Sequence, residues 1–187
     1  MPILGADVEL FPADLLERAA SAERPWRVVQ TKPRQEKALA RELLAAAVPF
    51  YLPCDRRRVR VRNRVVTSHV PMFGGYVFAQ STDDERWRIA FTKRVARFLP
   101  VRDPDRLAGD LRGVRRILDL GEPVTPESGL ARGSPVTVRS GPLAGMSGVV
   151  EKVATGFRFV VMVDFIGRGL SVTVDGAMLG APGPAVG

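Results

Sequence analysis

Apolar positions along this chain change period several times, and each change marks an element. Trp26-Arg-Val-Val-Gln-Thr reads as a strand. Over residues 34–47, Leu39, Leu43, Leu44 and Ala47 recur at helical spacing with charges opposite, and Pro33 and Pro49 bracket the stretch. Residues 76–79 form another short apolar strand. Thr82-Asp-Asp-Glu spells a capping box, with Thr82 as N-cap and Glu85 three residues on, so a helix should run over 83–91. A strand follows at 97–101. A helix over 105–120 gathers Leu107, Leu111, Val114, Ile117 and Leu118 on one side and ends at Gly121. The order is strand, helix, hairpin, strand, helix, strand, helix. It predicts an α+β domain, an antiparallel sheet flanked by helices.

After residue 121 the texture changes. Residues 122–130 carry Pro123, Pro126 and Gly129 without periodicity and read as a linker. Beyond them the pattern is all-β: Val136 and Val138 alternate with polar neighbours, 140–145 is a turn, and 149–153, 157–164 and 170–174 are strands. Short strands at this spacing predict a small SH3-like β-barrel, because closure removes vulnerable edges. The expected organisation is an extension at 1–24, in which the Pro12 segment opens a short helix, then an α+β domain at 25–121. A linker at 122–131, the barrel at 132–180 and a Pro/Gly tail at 181–187 follow.

Residues 50–66 hold the most distinctive pattern. Arg56, Arg58, Arg60, Arg62 and Arg64 share one parity, while Val59, Val61 and Val65 share the other. In a strand such residues point to opposite faces. The ribbon is therefore either an anion-binding arginine face or a solvated edge protected by charge. Alternatively Asn63 is a hairpin tip, which places bases on both arms.

Charge sharpens the division. The 187 residues carry 28 Lys and Arg against 20 Asp and Glu, a net +8. Residues 1–24 hold five acids and two bases, and 122–187 hold five of each, so 25–121 carries 21 bases against 10 acids, or +11. Confinement of the excess to one segment points to a polyanion partner for that module. One Cys and one His exclude a Cys/His zinc site or a disulfide framework within the chain. No metal site is expected: Asp83, Asp84 and Glu85 are accounted for by the start of a helix, where acids are favourable. Cys54 reads as a small buried apolar residue rather than a nucleophile paired with His69. No apolar run reaches the roughly 20 residues of a membrane helix, and Met1 to Leu16 lacks the early base of a secretory signal. A cytoplasmic protein is expected.

Trp26-Arg-Val-Val-Gln-Thr, Phe50-Tyr-Leu-Pro and Pro71-Met-Phe-Gly-Gly-Tyr-Val-Phe, in this order, resemble the NusG N-terminal domain across 25–121. Gly133-Ser-Pro-Val-Thr-Val-Arg-Ser-Gly-Pro-Leu-Ala-Gly-Met-Ser-Gly-Val-Val resembles a KOW motif, as does Phe165-Ile-Gly-Arg followed by Val172-Thr-Val. The resemblance implies a monomeric transcription elongation and antitermination factor without catalysis or cofactor. Its first domain would bind the clamp helices of RNA polymerase, lie over upstream or non-template DNA and suppress pausing. Its KOW domain would recruit a small-subunit ribosomal protein or the termination factor Rho.

By the same resemblance, Phe73, Tyr76 and Phe98 fall on the polymerase-binding surface, and Arg86, Trp87 and Arg88 on the helix that meets the displaced DNA strand. Phe165, Ile166 and Arg168 fall on the partner-binding turn of the KOW domain. Arg58, Arg60 and Arg62 of the ribbon are a second nucleic-acid candidate. Each has a structural alternative: core packing for Phe73 and Tyr76, packing down for Trp87, closure of the barrel end for Phe165 and Ile166. Gly74 and Arg94 stand where the family commonly has Pro and Gly, and the extension is atypical. These departures suggest a specialised RfaH-like or UpxY-like paralogue. The Val-rich, Gly-containing KOW strands are poor helix material, so a stable β module is expected. A competing reading, an RNA- or ribosome-binding KOW protein, calls for a basic barrel, whereas 122–187 is neutral.

Overall fold

The computed structural model describes residues 8–61, 64–128, 133–153 and 156–179. The chain divides into two compact units, Met1–Arg106 and Leu107–Gly187. The first contains β1 (Leu10–Phe11), β2 (Trp26–Thr31), α1 (Glu36–Ala45), β3 (Phe50–Tyr51), β4 (Cys54–Val61), β5 (Arg64–Pro71), β6 (Tyr76–Gln80), α2 (Asp83–Phe91) and β7 (Val95–Pro100). Five strands form an antiparallel sheet in the order β1-β3-β6-β2-β7, and β4 and β5 form a separate hairpin.

Strand alternation explains how this sheet is covered. Val29 pairs with Val77 and with Phe98, and Phe50 pairs with Ala79, which puts all of them on one face. That face joins Leu39, Ala40 and Leu43 of α1 and Ile89 of α2 in a single apolar core, with Phe11 and Phe98 packed at its margin. Val28, Tyr51 and Phe78 have the other parity and are buried as well. Gly75, at φ 86°, shapes the turn before β6, and its N–H donates to the buried Glu36 carboxylate at 2.6 Å.

Helix α2 begins as its sequence predicts. Thr82 Oγ1 accepts from Glu85 N at 3.2 Å, and Glu85 Oε2 accepts from Thr82 N at 2.9 Å. The same Glu85 carboxylate pairs with Arg24 at 2.9 Å. Thr82→Ala should cost about 1 kcal/mol, read as faster amide exchange at Glu85 with the rest of α2 intact.

The extension differs from expectation. Residues 12–18 form consecutive turns rather than a helix, closed by Leu15 N to Pro12 O and Glu17 N to Asp14 O. The segment is also built into the unit: Leu10 and Phe11 pair with Tyr51 and Phe50 as the edge strand, and Leu15 and Leu16 are buried. Burial of two leucines supplies what the short segment lacks in helix-forming length.

The second unit contains most of α3 (Pro104–Asp119), then β8 (Val124–Ser128), β9 (Ser134–Thr137), β10 (Ser147–Val153), β11 (Gly156–Val163) and β12 (Arg168–Val174). One expectation is corrected here. Residues 124–128, read as linker, form β8, paired with β12 from Val172↔Val124 to Arg168↔Ser128. The sheet, ordered β8-β12-β11-β10-β9, is barrel-like but open, since β8 and β9 are not paired with each other among the described residues. Strand pairing across the sheet satisfied the backbone of 124–128, a long-range partner that a Pro-containing local pattern does not announce. The tail at 181–187 and residues 129–132 lie outside the described residues.

The apolar stripe of α3, expected against the first sheet, belongs to the second unit. Arg116 donates to the carbonyls of Pro142 and Ala144, both at 2.9 Å, and Asp110 Oδ2 accepts from Asp164 N at 3.1 Å. A Cβ on Gly113 would stand 3.0 Å from Val161 Cγ1. The stripe Leu107, Leu111, Val114 and Ile117 is fully buried.

Candidate functional site

The arginine hairpin is the first feature to settle. β4 and β5 pair in continuous register from Cys54↔Pro71 to Val61↔Arg64. Residues 62 and 63 lie outside the described residues, so the tip expected at Asn63 is not described, nor is Arg62. The register still decides the faces. Arg56, Arg58 and Arg60 stand opposite His69, Thr67 and Val65, on one face. Arg64 stands opposite Val61, at a register position of the other face, because a two-residue connection reverses parity between the arms. The single five-arginine face expected from sequence is therefore not formed. Of the three ribbon arginines proposed for nucleic acid, Arg60 is exposed, and the side chains of Arg58 and Arg62 are not described. At the hairpin base, His69 Nδ1 meets Glu9 Oε1, and Arg56 lies 4.0 Å from the same carboxylate. The extension thus tethers the hairpin to the edge of the sheet.

The second feature is α2. The Arg86 guanidinium lies between two aromatic rings, 5.0 Å from the Trp87 centroid and 5.8 Å from the Phe98 centroid. Its Nε is 3.8 Å from Asp83 Oδ1, an ion-pair distance too long for a hydrogen bond, and Asp83 also holds Arg27 at 2.6 Å. Trp87 is 58% exposed and Phe91 80% exposed, and Arg88 is exposed. Trp87 and Phe91 are four residues apart, so they share a helix face turned to solvent. Chemically this is a stacking surface with an aromatic-held cation beside it. Phe91 was missed in the sequence reading. The i, i+4 spacing from Trp87, opposite the buried Ile89, was the signal that could have found it.

The three residues assigned to a polymerase surface do not form one exposed patch: Phe73 and Tyr76 share a turn, in which Tyr76 N donates to Phe73 O at 3.0 Å, but Phe98 lies on the other face of the sheet. Phe73 is 1% exposed, with its ring edge-to-face with Phe78, centroids 6.2 Å apart at 87°. Tyr76 is half-buried opposite Gln30, on the face of Val28 and Phe78. Phe98 pairs with Val29 and takes the opposite face, where it packs against the core and Arg86. Sequence order could not reveal this, because Tyr76 and Phe98 sit on different strands whose relative parity only the register decides.

In the second unit, a one-turn 3-10 helix at Asp164–Ile166 presents Phe165, 37% exposed, while Ile166 and Arg168 are half-buried. Gly167 closes the turn at φ 59°. Among the described residues no group of His, Cys, Asp and Glu could hold a metal ion, and no helix is long and apolar enough to cross a membrane.

Fold and site define a two-unit α+β protein, whose first unit bears an arginine hairpin and an exposed aromatic helix face. Residues 24–118 match the family model described as transcription termination factor nusG, a little over half of the chain. The chain belongs to the NusG family. A solved structure described as "Domain interaction in Thermotoga maritima NusG" is similar at 21% identity and a TM-score of 0.50, covering 83% of this chain and 96% of that one. It shares the fold. A second, the MjSpt4:Spt5 complex in conformation B, aligns at 15% identity and a TM-score of 0.26, over 83% of this chain and 95% of that one. No curated protein matches the chain.

Proposed function

We propose that this protein is a NusG-like transcription elongation factor that binds RNA polymerase and suppresses pausing or termination on selected operons, as an RfaH-like or UpxY-like paralogue. The observation that carries this is the family match over 24–118, the segment in which the chain's entire positive excess resides. Tyr76, on the sheet face away from α1 and α2, is the residue assigned to the polymerase clamp helices. Arg60, Arg86, Trp87 and Arg88, with Phe91 added, are assigned to upstream or non-template DNA. Guanidinium groups take phosphates and guanine edges, and an exposed indole stacks on an unpaired base. The second unit acts as a KOW module whose Phe165 tip, with Ile166 and Arg168, engages a small-subunit ribosomal protein or Rho. The protein works in the cytoplasm as a binding protein without chemistry of its own.

Two arms test this. In a pull-down with core RNA polymerase, wild type is retained, and Tyr76→Ala lowers affinity by roughly 30-fold, as for a hot-spot residue worth about 2 kcal/mol. Trp87→Ala leaves polymerase binding intact and weakens single-stranded DNA binding by about 1–3 kcal/mol in an anisotropy assay. DNA affinity should also fall steeply with salt, as phosphate neutralisation releases counterions. A wild-type protein that ignores core polymerase, or a DNA affinity indifferent to salt, would overturn the reading.

A further inference from the structure

We infer that Arg94 is a positioning residue for the exposed aromatic face of α2. It pins the last turn of that helix to α1, so that Trp87 and Phe91 are held in place before a single strand arrives. This rests on the assignment of that face to single-stranded DNA. The need for such a pin lies in how little of α2 is buried. Among the described residues of α2, Ile89 alone is buried. One apolar anchor fixes the depth of a helix but not its rotation about its own axis, because apolar attraction has no direction. That rotation sets where Trp87 and Phe91 point.

Polar contacts supply the rest, one set at each end. At the N-terminus the Thr82–Glu85 box, Arg24 on Glu85 at 2.9 Å and Arg27 on Asp83 at 2.6 Å hold the first turn. The C-terminus has no glycine to close it. Phe91 is the last helical residue, Thr92 caps it, and Lys93 lies in the left-handed region at φ 61°, a conformation costly for any residue with a Cβ. The backbone bonds of this turn are long, 3.2 Å from Thr92 N to Ile89 O and 3.4 Å from Lys93 N to Ala90 O. Arg94 follows directly. Its Nε donates to Glu42 Oε1 and its Nη1 to Gln35 Oε1, both at 2.6 Å. Gln35 is the N-cap of α1 and Glu42 lies within α1, so one guanidinium grips two points along that helix. The Arg94 carbonyl accepts from Lys32 N at 2.8 Å, which ties the backbone to the end of β2.

The ion pair with Glu42 distinguishes Arg94 from a phosphate ligand, since its charge is already met within the unit. Lysine is no substitute, because a compact ammonium lacks the rigid fork that reaches two acceptors at once. A turn left unpinned would have to be ordered as the strand binds, and that ordering is taken out of the affinity.

The experiment titrates the full chain against a labelled single-stranded oligothymidine at several salt concentrations. Its bases offer stacking faces without guanine edges. Arg94→Met keeps an apolar stem and removes the donors, so it should weaken binding about fivefold. The salt slope should stay that of the wild type, whereas loss of a direct phosphate contact would lower it by about 0.7. Arg94→Lys should weaken binding although it keeps the charge, and Glu42→Ala should weaken it although it removes a negative charge. Once Trp87→Ala and Phe91→Ala are both present, Arg94→Met should change the affinity no further. Amide exchange at Thr92 and Lys93 should quicken about tenfold in Arg94→Met, with Glu85 unchanged. Wild-type affinity in Arg94→Met or Arg94→Lys, a reduced salt slope, tighter binding by Glu42→Ala, unchanged exchange at Thr92, or an Arg94→Met effect that persists without the two aromatics would each overturn the assignment and leave the DNA reading of this face standing. A wild-type chain that does not bind the oligonucleotide overturns both.

Discussion

Phe73→Ala should lower the stability of the first unit by about 3–5 kcal/mol, the usual range for deleting a buried phenylalanine side chain. The ring is enclosed and meets Phe78 edge-to-face, an arrangement worth about 0.5–1.5 kcal/mol beyond area burial. Phe78 is itself fully buried on β6 and cannot turn to fill the gap. Both tryptophans, Trp26 and Trp87, lie in the first unit. A urea titration followed by tryptophan fluorescence therefore reports this unit, and its midpoint should move sharply downward. Phe73→Leu, which keeps most of the volume, should lose far less. Any loss of polymerase binding in Phe73→Ala would then be a folding effect, which is why Tyr76 carries the interface test.

Gly148→Ala should damage the second unit to a similar degree without touching the first. Gly148 sits on β10 opposite Val136 of β9. A Cβ there would stand 2.5 Å from the Val160 carbonyl oxygen and 2.7 Å from two atoms of the Phe159 ring. Phe159 is fully buried, and the carbonyl belongs to the neighbouring strand β11, so neither can retreat without opening the sheet. Overpacking commonly costs about 1–3 kcal/mol, and a backbone clash belongs at the upper end. Amide exchange across β10 and β11 should accelerate by about two orders of magnitude, while the tryptophan-detected transition stays where it was. Unchanged exchange would mean that β10 is placed differently.

Neither effect could have been assigned from sequence alone, though the elements involved could. Strand β2 and helix α2 begin and end where the pattern places them, and the Thr82–Glu85 box forms as spelled. These features rest on neighbours within four residues, so local chemistry suffices. The first unit's α+β character was equally legible, because alternating periods of two and 3.6 enforce it. The candidate site was only partly legible. Arg86, Trp87 and Arg88 lie together on a helix whose own spacing brings them close, yet the clamp on Arg86 needs Phe98, which arrives from another strand. The set of Phe73, Tyr76 and Phe98 came apart for the converse reason: the turn keeps Phe73 beside Tyr76 but buries its ring, and strand pairing sends Tyr76 and Phe98 to opposite faces.

Hydrophobic period and capping chemistry were enough to dictate most elements, the two-module plan and the seat of positive charge. What they left open was which apolar stripe meets which sheet. The stripe of α3 announces that one side must be covered, but Leu107, Leu111, Val114 and Ile117 are as compatible with one apolar surface as with another, since the hydrophobic effect is non-directional. The same holds for Leu15 and Leu16, and for residues 124–128, which took a strand partner forty or more positions away. Direction came from long-range backbone pairing and from shape, and both exist only once the chain has closed on itself.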